Sequence, residues 1–213
     1  MKELILTKRE IVLASNNLNK VREINALLCK TKYKIIPQSK FNIIEAEETG
    51  VTFVENALIK ARHAAQYVEY PVIADDSGIE VDGLKGEPGV FSSRYAGSNA
   101  TDKDNLNKLI ENIKLLDEKK RSARFICSMV FLRNTDDSNP IIVEGIWNGH
   151  VVTTPCGKNG FGYDPIFYVP THGCTSAELS DKQKNELSHR GQALRSLTKK
   201  LIAEEKKIDT NIP

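Results

Sequence analysis

A short apolar run that feeds straight into two acids constrains this chain more than any other stretch: Pro71-Val-Ile-Ala-Asp-Asp-Ser-Gly78. Residues 72–74 predict a buried strand, and Gly78 predicts a turn where a side chain would clash. Buried strands usually end in neutral residues, because a carboxylate taken from water without a partner is expensive. Asp75 and Asp76 therefore call for something positive, and hard oxygen ligands suit magnesium or manganese. The ordinary alternative is a solvated turn in which an Asp caps the next residues. The rest of the chain has to decide between them.

Upstream, residues 11–14 predict a strand, followed by the polar loop Ser15-Asn-Asn-Leu-Asn-Lys20 and by Leu18, Val21, Ile24 and Leu28 at helical spacing. A helix N-terminus presents unpaired N–H groups and the positive end of the helix dipole, and so attracts phosphate. An Asn-capped strand–helix junction is the simpler reading, and the loop lacks the glycines of a P-loop or dinucleotide fingerprint. Residues 34–37 predict a second strand. The acidic connection 40–49 then leads into Thr52-Phe-Val-Glu55, a capping box that opens a helix. Were that connection to fold over the Asp75–Asp76 turn, Glu47 or Glu48 would complete a carboxylate cage. Lys60 falls on the less apolar face of the helix, where a lysine is ordinarily solvated.

Downstream, residues 79–82 alternate like a strand entering a hairpin. The glycine-bearing segment 86–97 is long enough to suggest a functional surface loop. Thr101 and Asp104 frame a weaker capping box on a structural helix, and strands are expected at 124–132, 141–147 and 150–154. Residues 157–165 form a loop with three glycines and two rings, Phe161 and Tyr163. Such rings can stack on a base or plug the core, and the plug is expected for Tyr163. Ser180 and Ser188 are placed to cap two final helices. Lys184 lies on the first, and His189 and Arg190 in the first turn of the second, where basic residues oppose the dipole. Residues 205–213 are expected to fray.

With 213 residues the chain can bury a full core. A net charge of +2 argues against a dedicated duplex-binding surface. Neither a signal-peptide core nor a membrane-spanning run is present in the sequence. Cys29, Cys127, Cys156 and Cys174 stand at no ligand-like or paired spacing, so reduced thiols and a cytoplasmic setting are expected.

Five motifs then stand in one order: Ser15-Asn-Asn-Leu-Asn-Lys20 with Glu23, Thr52-Phe-Val-Glu-Asn-Ala57 with Lys60-Ala-Arg62, Ala74-Asp-Asp-Ser-Gly78, Phe161-Gly-Tyr-Asp-Pro165, and Ser188-His-Arg-Gly-Gln-Ala193. Together they resemble the inosine/xanthosine triphosphate pyrophosphatases of RdgB type, which clear non-standard purine nucleotides from the pool. The likeness runs from about residue 11 to about residue 201. It implies an α/β fold: an elongated, two-lobed mixed sheet with flanking helices and a nucleotide cleft between the lobes. Residues 1–213 would form one catalytic domain, acting as a cytoplasmic homodimer on small-molecule purine nucleoside triphosphates, with neither nucleic acid nor membrane as partner. The implied reaction is Mg2+-dependent hydrolysis of ITP, dITP and XTP to the monophosphate and pyrophosphate, with Mn2+ as a substitute ion.

Carried over by motif, Ser15, Asn16, Asn17, Leu18, Asn19, Lys20 and Lys60 would hold the polyphosphate. Glu47 or Glu48 would bind the metal with Asp76, and Asp76 would accept the proton of the attacking water. Ser77, Phe161, Gly162, Tyr163, Asp164, Lys184, His189 and Arg190 would surround the nucleoside. One departure stands out: the first loop of the family often reads Thr-Gly-Asn-x-x-Lys, and Asn16 here replaces a glycine that is free to take positive φ. Two rival readings are a Maf-like pyrophosphatase of other base preference and a nucleotide- or single-strand-binding module without catalysis.

Overall fold

The computed structural model describes residues 9–29 and 31–210. Seven strands form one mixed sheet in the order β2-β1-β3-β4-β5-β6-β7. The strands are β1 (Arg9–Leu13), β2 (Tyr33–Pro37), β3 (Val72–Val81), β4 (Ser122–Leu132), β5 (Ile141–Val151), β6 (Phe167–Val169) and β7 (Cys174–Thr175). β1 lies parallel to both β2 and β3, and every later pairing is antiparallel. Among the described residues five helices flank the sheet: α1 (Leu18–Leu28), α2 (Phe53–Ala65), α3 (Asp102–Lys114), α4 (Asp181–Leu187) and α5 (His189–Thr210). A mixed sheet with flanking helices is what the motif resemblance implies.

Polar caps start these helices where the sequence places them. Thr52 with Glu55, Thr101 with Asp104 and Ser180 with Gln183 form reciprocal boxes, and Ser188 Oγ accepts from Gly191 N at 3.1 Å. The buried face of α2 is small: Ala57, Ala61 and Ala64 recur at helical spacing and pack on Val72, Ala74, Val130 and Leu132. The opposite face of the sheet carries α1 and α5, with Ile24, Leu194 and Leu197 against Leu13, Ile73 and Met129. A third cluster gathers Leu109 and Ile113 of α3 with Ile79, Phe125, Trp147 and Phe167. At Gly145 of β5 a Cβ would collide with the His189 carbonyl, so this glycine lets the start of α5 rest on the sheet.

Several expectations are overturned. The acids do not sit in a turn: β3 runs unbroken from Val72 to Val81 and pairs along its whole length with β4, Asp75 opposite Met129 and Asp76 opposite Ser128. Asp, Ser and Gly disfavour strands locally, but ten ladder positions shared with an apolar neighbour outweigh that preference. Gly78 accordingly serves close approach, since a Cβ there would strike Ser92 Oγ and the Gly89 carbonyl. In place of a hairpin, the chain leaves β3 through a short 3-10 turn, Asp82–Leu84. Likewise β5 continues to Val151, so no separate strand begins at residue 150. Helix α5 continues through Thr210, and residues 211–213 of the stretch expected to fray lie outside the described residues, as do residues 1–8.

Candidate active site

Side chains alternate across a strand, so consecutive acids on β3 point to opposite faces. Asp75 faces the α1–α5 side and is 0% exposed. Its Oδ2 lies 3.0 Å from Lys20 Nζ and 3.3 Å from both Nε and Nη2 of Arg190. Burial alone would raise its pKa, but the surrounding cations Lys20, Arg190 and Lys60 overcome that and hold it well below the usual carboxylate range. Asp76 faces α2. Its Oδ1 accepts from Lys60 Nζ at 2.8 Å and its Oδ2 from Asn56 Nδ2 at 3.3 Å.

Lys60 Nζ also donates to Glu48 Oε1 at 2.7 Å, and Arg94 Nη1 reaches Glu48 Oε2 at 3.0 Å. The connection after β2 therefore does fold toward the acids, with Glu48 turned inward and Glu47 left exposed. Asp76 is pushed up, chiefly by burial; Lys60 opposes the shift and repulsion from Glu48 adds to it. Burial also works against Glu48, yet Lys60 and Arg94 bring it below its ordinary value. The lysine expected to be solvated is held at 13% side-chain exposure by two carboxylates.

A cleft of about 440 Å³ opens over this group. Of the residues singled out from the sequence, Ser15, Asn17, Lys20, Glu48, Lys60, Asp76, Ser77, Phe161, Gly162, Tyr163, Asp164, Lys184, His189 and Arg190 line it. Asn16, Leu18, Asn19 and Glu47 do not, and Leu18 is 66% exposed. The first amides of α1 are already engaged: Asn17 Oδ1 accepts from Asn19 N and Lys20 N, and Ser15 Oγ from Asn17 N. Asn16 N points to Glu45. The cation this loop offers the cleft is thus the Lys20 ammonium more than the bare helix end. Nor does Asn16 take the left-handed conformation that its glycine counterpart would permit; among the described non-glycine residues only Asn42 and Lys85 have positive φ.

Another part of the cleft wall is built from α4, α5 and the loop before β6, and Arg190 joins it to Lys20 through Asp75. Lys184 Nζ bridges Glu23 Oε1 at 2.8 Å and Asp164 Oδ2 at 2.7 Å. It also lies 4.9 Å from the centre of the Phe161 ring, with the Arg190 guanidinium at 5.7 Å. Burial opposes the charge of Lys184, but Asp164 and Glu23 win and raise its pKa. Arg190, 2% exposed, gives Nη1 to Glu23, Nη2 to Ser77, and Nε and Nη2 to Asp75. A guanidinium has five N–H donors, and these contacts engage four of them. His189 is stacked on Phe125, with ring centroids 4.7 Å apart and planes 9° apart, and its buried Nδ1 has no partner among the described residues. Burial, with Arg190 and Lys184 nearby, drives its pKa well below the ordinary histidine value, so the ring is neutral. Tyr163 is the core plug expected of it, its hydroxyl donating to the Ser92 carbonyl at 2.7 Å.

Sequence reasoning left Arg94, Asn56 and Glu23 without roles. Each carried a faint signal: Arg94 sits in the long glycine-bearing segment, and Asn56 and Glu23 fall inside the quoted motifs. What the sequence could not show is their pairing, because Glu23 and Lys184 are 161 residues apart.

A mixed sheet whose central strand presents a carboxylate to a cleft lined by lysines, arginines, acids and an aromatic ring defines an α/β protein with one deep, charged site. Comparison with known proteins narrows this. The chain belongs to the Ham1 family, whose profile matches residues 11–200. The dITP/XTP pyrophosphatase of Vibrio cholerae is 54% identical over 191 residues, spanning 90% of this chain and 96% of its own. That of Coxiella burnetii is 52% identical over 189 residues, spanning 89% and 94%. Among solved structures, a HAM1 protein from Coxiella burnetii superposes with a TM-score of 0.84 at 51% identity, covering 92% of this chain and 99% of its own. The Staphylococcus aureus Ham1 protein gives 0.81 at 41% identity, covering 92% and 100%. The family resemblance drawn from the five motifs is borne out. Among the described residues no helix is long and apolar enough to cross a membrane.

Proposed function

We propose that this chain hydrolyses non-standard purine nucleoside triphosphates, ITP, dITP and XTP, to the monophosphate and pyrophosphate. The observation that carries the reading is the make-up of one cleft: Lys20, Lys60 and the Glu48–Asp76 pair line it together with Phe161, Lys184, His189 and Arg190. The names of the relatives, dITP/XTP pyrophosphatases, supply the substrate class.

The donor set fits a divalent cation. Two carboxylate oxygens, Glu48 Oε1 and Asp76 Oδ1, converge on one point, the Lys60 ammonium, at 2.7 and 2.8 Å. That is the pattern expected for magnesium, which binds through one or two carboxylates and completes its shell with water and substrate phosphates. Glu48 and Asp76 would hold it, and bound there it would neutralise charge on the phosphoryl oxygens; Mn2+ would substitute.

The protein's own groups do the rest. Asp76 accepts a proton from the attacking water, oriented by Asn56 on one oxygen. Lys20 and Lys60 offset charge on the polyphosphate. Phe161 offers a face to the base. The remaining donor of Arg190 meets the oxygen at purine C6 and would confront the amino group of adenine with another donor. A buried polar group left unpaired costs ~1–3 kcal/mol, or about ten- to a hundredfold in discrimination.

Residues 1–213 act in this reading as one two-lobed catalytic domain. The acting unit is a homodimer, which light scattering on the purified protein would check. The cytoplasm is the matching compartment, where thiols such as Cys127, Cys156 and Cys174 stay reduced. Product analysis on ITP with and without Mg2+ tests the whole. Inosine monophosphate and pyrophosphate in the presence of the ion are expected; orthophosphate would overturn it.

A further inference from the structure

The Lys60 ammonium sits between Glu48 Oε1, at 2.7 Å, and Asp76 Oδ1, at 2.8 Å. These are the two oxygens that the reading above assigns to a divalent cation. An ammonium and a magnesium ion compete for them, because an ion at about 2.0–2.1 Å from both oxygens crowds the ammonium that lies against the same two. Charge leads to the same point. Glu48 and Asp76 carry two negative charges, and Lys60 with Arg94 returns two positive ones. Little net attraction for a further cation is left. The backbone beneath Lys60 does not give, since Ala57, Ala61 and Ala64 of α2 are fully buried against the sheet. Only the lysine's flexible four-carbon stem can swing, and a polyphosphate in the cleft is the partner that would draw it.

We propose that Lys60 holds the cation position with its own ammonium until a polyphosphate draws it away, so that divalent cation and nucleotide enter the cleft together. This rests on the assignment of Glu48 and Asp76 as the cation's ligands. Lys60 is then a positioning residue with two stations: between the carboxylates in the free protein, and on the polyphosphate in the loaded one.

The test reads binding of Mn2+ by electron paramagnetic resonance, on the full chain without nucleotide. Replacing Lys60 by an uncharged residue of similar length, Lys60→Met, is expected to tighten Mn2+ binding by at least about tenfold, equivalent to about 1.4 kcal/mol. Lys60→Arg, which keeps the charge, is expected to bind as weakly as the natural protein. Lys20→Met removes a nearby charge from the other carboxylate and is expected to gain much less. Adding Glu48→Gln to Lys60→Met should abolish the gain. Lys60→Met binding Mn2+ no tighter than the natural protein, or Lys20→Met gaining as much, would overturn the proposal. Should Lys60→Met lose its cooperative thermal transition, Lys60→Gln takes its place. The natural protein provides a variant-free arm: inorganic tripolyphosphate must increase the Mn2+ held by the protein, and no increase sinks the idea. The ITP product assay is separate. A gain in Mn2+ affinity without pyrophosphate release from ITP would discard the nucleotide reading and leave the lysine exchange standing, and the opposite pair of results would do the reverse.

Discussion

Asp75 and Asp76, adjacent on β3, point to opposite faces of the sheet and into different electrostatic settings: Asp75 is sealed between Lys20 and Arg190, and Asp76 lines the cleft beside Lys60. One strand thus supplies an internal anchor for two cations and a carboxylate open to a ligand. The pair separates without any turn, by the two-residue period of extended backbone alone.

Asp76→Asn should cut turnover of ITP by at least about a hundredfold while leaving the fold intact, since proton acceptance by a positioned group contributes about that much or more. Lys60 keeps Glu48 as its partner in the variant. A near-normal kcat at saturating Mg2+ would remove Asp76 from the proposed role.

Asp75→Asn should instead act on stability. It strips the buried charge that pairs Lys20 and Arg190, and breaking such a pair costs about 3–5 kcal/mol. The folded-state pKa of Asp75 is depressed below its ordinary 3.8. Its contribution is therefore fully present above that value and is lost as pH falls toward the folded pKa. Urea unfolding at neutral pH should show the full deficit of the variant, shrinking progressively at pH values below 3.8; a pH-independent deficit would contradict the pairing.

His189 should make the protein acid-sensitive at a higher pH. Its folded-state pKa lies well below 6.5, so the unfolded chain takes up the proton first and stability falls as pH drops through 6.5. Thermal midpoints measured from pH 8 down to 5 should decline for the natural protein more than for His189→Gln. Parallel curves would show that the ring is not held neutral.

Arg190→Gln should erode the preference for ITP over ATP by about ten- to a hundredfold in kcat/KM, the size of one lost buried donor contact. Because Arg190 also ties Glu23 to Asp75, the ratio for the two substrates is the informative quantity, with any general loss of folded protein cancelling from it. An unchanged ratio would mean that Arg190 reads nothing on the base.

Much of the local structure could be read from the residues. The capping boxes at Thr52, Thr101 and Ser180 are short-range chemistry, and each starts its helix as written. The apolar spacing of Val21, Ile24 and Leu28 likewise marks the face of α1 that meets the sheet, whereas Leu18, in the same series, stays exposed. Helical position alone makes Lys60 look solvated; its burial depends on Glu48 and Asp76 converging from two other segments. The acids of β3 look like a turn for a related reason, their strand being held open by β4, some fifty residues later in the chain.

Where helices begin, which faces are apolar and which family the five motifs match are written in the residues themselves. These depend on backbone capping and side-chain order within a few residues. The burial of Asp75, the place of Asp76 on the cleft and the sharing of Glu23 by Lys184 and Arg190 arise from the assembled sheet alone. Charge partners are chosen by distance in space, and the sheet brings together side chains that the chain itself keeps far apart.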